Sequence, residues 1–159
     1  MIRKARIGDV KDLHRMLNAF AAEGKLLPRS LSDLYTHIRE FVVWESAETG
    51  EILGCCCLHI VWEDLAEVRS LAVVPDRQGR GIGTALVRAC LNEARELGIS
   101  RVFVLTYEVR FFQNLGFRVT DKQVFPQKIW ADCLHCTKFP DCDETAMVLE
   151  IANSLGTNG

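Results

Sequence analysis

The chain has 159 residues, 48% of them apolar and 25% charged, which is enough for one domain with a proper core. A formal net charge of −2 argues against a nucleic-acid partner held by bulk electrostatics, so an anionic substrate has to be met by a few local arginines. No apolar run reaches the length of a membrane span and no signal-peptide core opens the sequence, so no membrane partner is expected.

Ile2 to Ile7 alternates as a short strand ended by Gly8-Asp9. Asp9 is placed to cap a helix whose Val10, Leu13, Leu17 and Phe20 recur at helical spacing and which Gly24 stops. After the link Lys25-Leu-Leu-Pro-Arg29, Ser30 caps a second helix, with Asp33 three residues on as a variant capping box. Leu31, Leu34, Tyr35 and Ile38 form its apolar stripe. Phe41 to Trp44 and Ile52 to Trp62 read as an antiparallel hairpin about the turn Glu48-Thr-Gly-Glu51. Within it, Cys55-Cys-Cys57 alternate between the two faces of the strand as small hydrophobes. The seven cysteines are odd in number, which speaks against a secreted disulfide framework and for a reducing, cytoplasmic setting.

Ala66 to Val74 is a further strand, and beyond Gly81 a helix carries Ile82, Leu86, Cys90, Ala94 and Leu97 on one face and ends at Gly98. Arg101 to Thr106 is a buried strand, and strand–helix–strand over this distance places two parallel strands in one sheet. A short helix from Phe111 to Leu115 ends at Gly116, Phe117 starts another strand, and Thr145 to Ile151 closes the fold. Residues 1–153 read as a single domain and 154–159 as a frayed tail.

The stretch Leu71 to Gly83 carries the functional signal. An apolar strand breaks at Pro75, passes through a basic, glycine-spaced turn and enters a helix, so unpaired N–H groups and the positive end of the helix dipole face one place. This is an anion site. A Walker loop is excluded, because the sixth position counted from Gly79 holds Thr84 and no lysine is near. A dinucleotide fingerprint fails as well, because Thr84 and Leu86 stand where its third glycine would be.

What remains, Gln78-x-x-Gly81-x-Gly83 after Leu71-x-Val73-x-Pro75, resembles the acetyl-CoA pyrophosphate loop of the GNAT N-acetyltransferase superfamily. The order of elements is the family's order too. The resemblance implies a mixed α/β fold, a mostly antiparallel sheet with one parallel strand pair splayed around acetyl-CoA, flanked by about four helices. Gln78, Gly79, Arg80, Gly81, Ile82, Gly83 and Thr84 would then hold the pyrophosphate, and Leu71, Ala72 and Val73 would pair with the pantetheine arm. One N–H of that strand, assigned to Leu71, would polarise the thioester carbonyl.

Glu67 stands where the family often places the carboxylate that takes the amine proton, directly or through water; the alternative is a solvated strand-end glutamate. Arg69 projects from the same strand face, to hold a substrate carboxylate or to pair with Glu67. Many relatives carry a tyrosine as acid for the departing thiolate, but here that position is Phe112, which the resemblance places against the cofactor and which cannot donate. Tyr107 lies too far upstream to be a clear substitute.

Phe-Val-Leu-Thr-Tyr107, Phe111-Phe-x-x-Leu-Gly-Phe117, Ala66 to Val73 and Leu26 to Tyr35 resemble the acetyltransferase domain of N-acetylglutamate synthases. The match is closest to the short form that lacks the arginine-sensing, kinase-like domain of longer synthases. The resemblance implies L-glutamate as the small-molecule acceptor. Arg29 and Arg69 are then the candidate carboxylate-binding residues, with Lys25 and Arg110 behind them and a homodimer allowed. The missing tyrosine keeps a non-catalytic acyl-CoA sensor open, and the variable helix-link and carboxy-terminal segments that build acceptor sites leave open a transferase for another amine. Cys133-x-x-Cys136-x5-Cys142, with His135, is only half of a zinc site, so no metal is assigned.

Overall fold

The structure, a computed structural model, describes residues 1–122 and 144–151. The expected tail at 154–159, and the cysteines and His135 of the 133–142 segment, lie outside the described residues. Seven strands form one mixed sheet in the order β1-β2-β3-β4-β5-β7-β6, and the described residues hold four α-helices. The chain divides into two compact units, Met1–His59 with Val68–Glu93, and Ile60–Glu67 with the described residues from Ala94 onward.

In the first unit, β1 is Ile2–Lys4, shorter than the alternating pattern predicts. The Asp9 carboxylate ends it early, accepting the Arg6 N–H at 2.7 Å and gripping the Arg3 guanidinium at 2.8 and 3.0 Å, so residues Ile7–Asp9 turn as a 3-10 helix. Asp9 therefore caps this turn and gives no side-chain cap bond to α1 (Val10–Ala22). Helix α1 buries Val10, Leu13 and Leu17, as its spacing predicts. Ser30 Oγ accepts the Asp33 N–H at 3.0 Å and starts α2 (Leu31–His37). The predicted stripe is narrower than expected: the helix turns its Leu34–Ile38 row to the core, leaving Leu31 and Tyr35 exposed.

β2 (Phe41–Glu45) lies between β1 and β3 (Ile52–Trp62), antiparallel to both. Phe41 pairs with Cys57 and Trp44 with Gly54, and the register shifts between Trp44 and Glu45. The core here gathers Val10, Leu13, Leu17, Leu34, Phe41, Val43, Cys55, Cys57 and Ala72. Cys56, with the opposite direction of its strand neighbours, is also fully buried, so both faces of β3 are covered. Strand β4 (Leu65–Val73) follows β3 in the sheet, and α3 (Ile82–Glu96) buries Ile82, Leu86, Cys90 and Ala94. Leu97, expected on that face, is 58% exposed because it lies past the last turn, where Gly98 takes φ +82°.

Gly54 sets how closely strand and helix approach. A Cβ there would lie 3.0 Å from Leu86 Cδ1, 3.2 Å from Ile82 Cγ2 and 3.1 Å from the Ala72 carbonyl oxygen.

In the second unit, β4 runs parallel to β5 (Arg101–Thr106), from Leu65 opposite Arg101 to Glu67 opposite Phe103. The register ends there, although both strands run on. β7 (Thr145–Glu150) is antiparallel to β5 along its whole length and carries β6 (Arg118–Val119) on its other edge. Val61, Leu65, Phe103, Ala146 and Val148 form this unit's core. Helix α4 (Val109–Asn114) begins two residues before the expected start. The strand expected from Phe117 is two residues long, and Phe117 itself is buried.

Candidate active site

The loop after β4 is built by short local bonds. The Val74 N–H reaches the Leu53 carbonyl at 2.9 Å, and Pro75–Arg77 turn as a 3-10 helix. Gln78 donates its side-chain amide to the Val73 carbonyl at 3.0 Å, tying the loop to the end of the strand, while its N–H turns back to Pro75 at 3.4 Å. Gly79 and Gly81 take φ +78° and +84°. An added Cβ at either would meet nothing within 4 Å, so glycine serves here for its dihedral freedom and not for space. The Ala85 N–H to Gly81 carbonyl bond, 3.0 Å, is the first of α3, which leaves the N–H groups of Ile82, Gly83 and Thr84 without an intrahelical acceptor.

Nearby, Arg77 Nε is buried with no hydrogen-bond partner among the described residues. Arg80 is exposed. Turned-in N–H groups at a helix start, a buried guanidinium nitrogen short of a partner and an exposed cation fit a pyrophosphate. Of the strand residues assigned to the pantetheine arm, Ala72 packs into the core, whereas Leu71 and Val73 are half-buried.

One residue upstream of Leu71, the backbone does something the sequence does not announce. Ser70 has φ +54°, and it is the one non-glycine residue with positive φ among the described residues. Its Oγ accepts from Arg29 Nη1 at 3.1 Å, and its carbonyl accepts from Cys55 Sγ at 3.3 Å. Arg29 is thus carried from the start of α2 onto strand β4. Its side chain is 12% exposed, its Nε donates to Asp33, and its guanidinium carbon lies 5.1 Å from the Phe41 ring centroid. Burial works most strongly against the charge of Arg29, but the bonds and charges of Asp33 and Cys57 together outweigh it and hold the guanidinium protonated. Burial likewise pushes the Asp33 carboxyl up, and Arg29 with His37 brings it below its ordinary value.

The same end of the unit holds two further polar contacts that sequence reasoning missed. The His59 ring nitrogen lies 3.0 Å from the Glu40 carboxylate, and Cys57 Sγ lies 3.4 Å from it. The His37 and His59 rings meet edge to face at 6.1 Å. Burial and Glu40 push the Cys57 thiol well up, which makes it an inert packing group and not a nucleophile.

Glu67 belongs to the second unit, at the last paired position of the parallel register, and is 7% exposed. It is a buried polar side chain and not a solvated strand-end one. Arg69 is half-buried. Phe112 is buried in an edge-to-face stack with Phe111 at 5.0 Å and Phe117 at 5.2 Å. The exposed Tyr107 stands just beyond β5. Lys25 pairs with Glu23 at 3.0 Å above the Phe20 ring, and Arg110 is exposed. The structure therefore brings Arg29, and not Lys25, to the strand that leads into the loop. No group of three His, Cys, Asp or Glu side chains among the described residues is arranged to hold a metal.

A match to the acetyltransferase (GNAT) family spans residues 11–117. The chain is 41% identical to an uncharacterized N-acetyltransferase of Chlorobaculum tepidum over 92% of this chain and 94% of that protein. It is 43% identical to an amino-acid acetyltransferase of Mycobacterium tuberculosis over 74% of this chain and 67% of that one.

Among solved structures, Rv2747 from Mycobacterium tuberculosis in complex with CoA superposes with a TM-score of 0.84 at 34% identity, over 96% of this chain and 99% of that one. An N-acetylglutamate synthase from Neisseria gonorrhoeae, complexed with coenzyme A and N-acetyl-glutamate, superposes with a TM-score of 0.87 at 28% identity, over 96% of this chain but 35% of that one. The chain belongs to the GNAT acetyltransferase family. It is an N-acetyltransferase with acetyl-CoA as its cosubstrate.

Proposed function

We propose that the acceptor is the α-amine of L-glutamate and that the protein makes N-acetylglutamate, in a reducing, cytoplasmic setting. The observation that carries this reading is the arginine planted on β4: Arg29, nearly buried, bonds to Ser70, next to the residue assigned to the thioester. A fixed guanidinium at that place suits an acceptor carboxylate. Relatives named as amino-acid acetyltransferases and a synthase solved with N-acetyl-glutamate support it.

In this reading the loop from Gly79 to Thr84 holds the pyrophosphate, and Leu71 to Val73 lay the pantetheine arm along β4. Acetyl-CoA supplies the activated acetyl group. Arg29 and Arg69 hold the acceptor so that its nitrogen faces the carbonyl carbon. Glu67, directly or through water, takes the ammonium proton, and the freed lone pair attacks the carbonyl. The Leu71 N–H stabilises the charge on oxygen while the new C–N bond forms and the C–S bond breaks. A thiolate leaves well near neutral pH, so a phenylalanine at position 112 is tolerable.

Incubation with acetyl-CoA and each amino acid, following thiol release, tests this. Glutamate should give the highest kcat/KM. Turnover with other amino acids but not with glutamate overturns the acceptor assignment. Glu67→Gln should lower kcat by about 100-fold or more at neutral pH with the KM for acetyl-CoA little changed, and a kcat within twofold of the parent rejects Glu67 as base.

A further inference from the structure

We propose that Ser70 is a positioning residue for the acceptor: its hydroxyl fastens Arg29 to the strand that presents the thioester and so sets the carboxylate-binding guanidinium in register with the reacting carbon. This rests on the acceptor role of Arg29 proposed above.

Three observations meet at this residue. Ser70 is held at φ +54°, a conformation that costs a non-glycine residue about 1 kcal/mol. Its carbonyl and its hydroxyl are both engaged, by Cys55 Sγ from the neighbouring strand β3 and by Arg29 Nη1. Arg29 in turn is gripped on its Nε side by Asp33, bonds to Cys57 and lies over Phe41, which leaves part of its five-donor fork for an acceptor.

The kink turns the serine hydroxyl toward the long side chain arriving from α2, and that side chain closes a bridge from α2 to β4. Without the Ser70 bond, the guanidinium keeps more freedom about its terminal torsions. Tied at Nη1 as well, its plane is fixed relative to Leu71. An acceptor docked on such a fork meets the thioester at one distance and angle, and misplacement on the order of an ångström costs about 100-fold in rate.

The test uses the full chain, with Ser70→Ala, Ser70→Gly, Arg29→Gln and the Arg29→Gln/Ser70→Ala double variant. The acceptor is the amino acid that the thiol-release screen ranks first. Both Ser70 variants should raise its KM about tenfold, with the KM for acetyl-CoA within twofold of the parent. Ser70→Gly should melt higher than Ser70→Ala because it relieves the dihedral, yet show the same KM defect. In the Arg29→Gln background, Ser70→Ala should add less than twofold. Recovery of the parental KM by Ser70→Gly would show that backbone shape matters and the hydroxyl does not, which overturns the proposal. Full additivity with Arg29→Gln overturns it too. A preferred acceptor without a carboxylate, or no turnover with any amine, defeats both the inference and the reading beneath it. A parental acceptor KM in Ser70→Ala defeats the inference alone.

Discussion

The side chains that decide acid stability are carboxylates whose protons are hard to add in the folded state. The Arg3 guanidinium, bonded to Asp9, holds its carboxyl below the ordinary value of 3.8 against the opposing effect of burial. Asp33, although burial pushes it up, is drawn below that value by Arg29, and Glu40 is lowered by His59 in the same way. A depressed carboxylate stabilises the fold above its unfolded pKa and loses that contribution as pH falls through the folded value. Melting temperature should therefore stay level from pH 7 to about 5 and drop steeply below about 4. Asp9→Asn should cost about 2 kcal/mol at pH 7 and flatten the acid slope, as thermal melts across that range would register. A slope identical to the parent's contradicts the assignment.

Legibility at this scale was uneven. Arg29 stands out in the sequence as a cation beside a helix start, whereas Ser70 does not, because a left-handed dihedral at serine is imposed by the strand and the bonds around it. The capping role of Asp9 was misplaced by a few residues for a related reason. Its carboxylate has a stronger partner in Arg3, six residues upstream on β1.

Among elements, β4, its loop and α3 act together, and two glycines test this in different ways. Gly54→Ala places a methyl about 3 Å from Leu86, Ile82 and the Ala72 carbonyl, so α3 or the strand must shift. The expected cost is about 1–3 kcal/mol, with weaker acetyl-CoA binding because α3 begins at the loop. Gly8→Ala, where a Cβ meets nothing within 4 Å, should change stability by no more than about 0.5 kcal/mol. Gly81→Ala is the converse case, with open space but φ +84°. It should cost about 1–2 kcal/mol of stability in thermal melts and, by moving the loop backbone, weaken acetyl-CoA binding in calorimetry. Affinity equal to the parent's in Gly81→Ala would remove the loop from the cofactor site.

The loop was readable because proline, glycine spacing and helix periodicity are local signals. The side of α2 that faces inward was not, since a seven-residue helix offers two adjacent apolar rows and the neighbours choose between them.

For the whole molecule, the thiols report on integrity. Of seven cysteines, Cys55, Cys56, Cys57 and Cys90 are free and buried. Burial pushes Cys55 up to about 12, and Cys56 and Cys57 are raised as well, so these thiols carry almost no thiolate at neutral pH. A thiol reagent at pH 8 should label at most the remaining three in the native protein and all seven in denaturant. Rapid native labelling of more than three contradicts the burial. The β2–β3 hairpin and the parallel β4–β5 crossover were legible because their connections are short or pass through one helix, whereas the place of β7 between β5 and β6 was not, since no local pattern chooses a strand's distant partner. A splayed strand pair was expected only through family likeness.

Three identical residues in the middle of β3 leave that strand a choice of partners during folding. Sliding β3 past β2 by one residue ordinarily turns a strand's apolar set to the wrong face, and the error is costly. Within Cys55-Cys56-Cys57 the slide exchanges one thiol for another, so most of the run is blind to the mistake. Gly54 is not. A slide in one direction brings Cys55 into its place, in the other Leu53, and either drives a side chain into Leu86 and the Ala72 carbonyl. The residue that lets the helix come close is thereby also the proofreader of the strand's alignment.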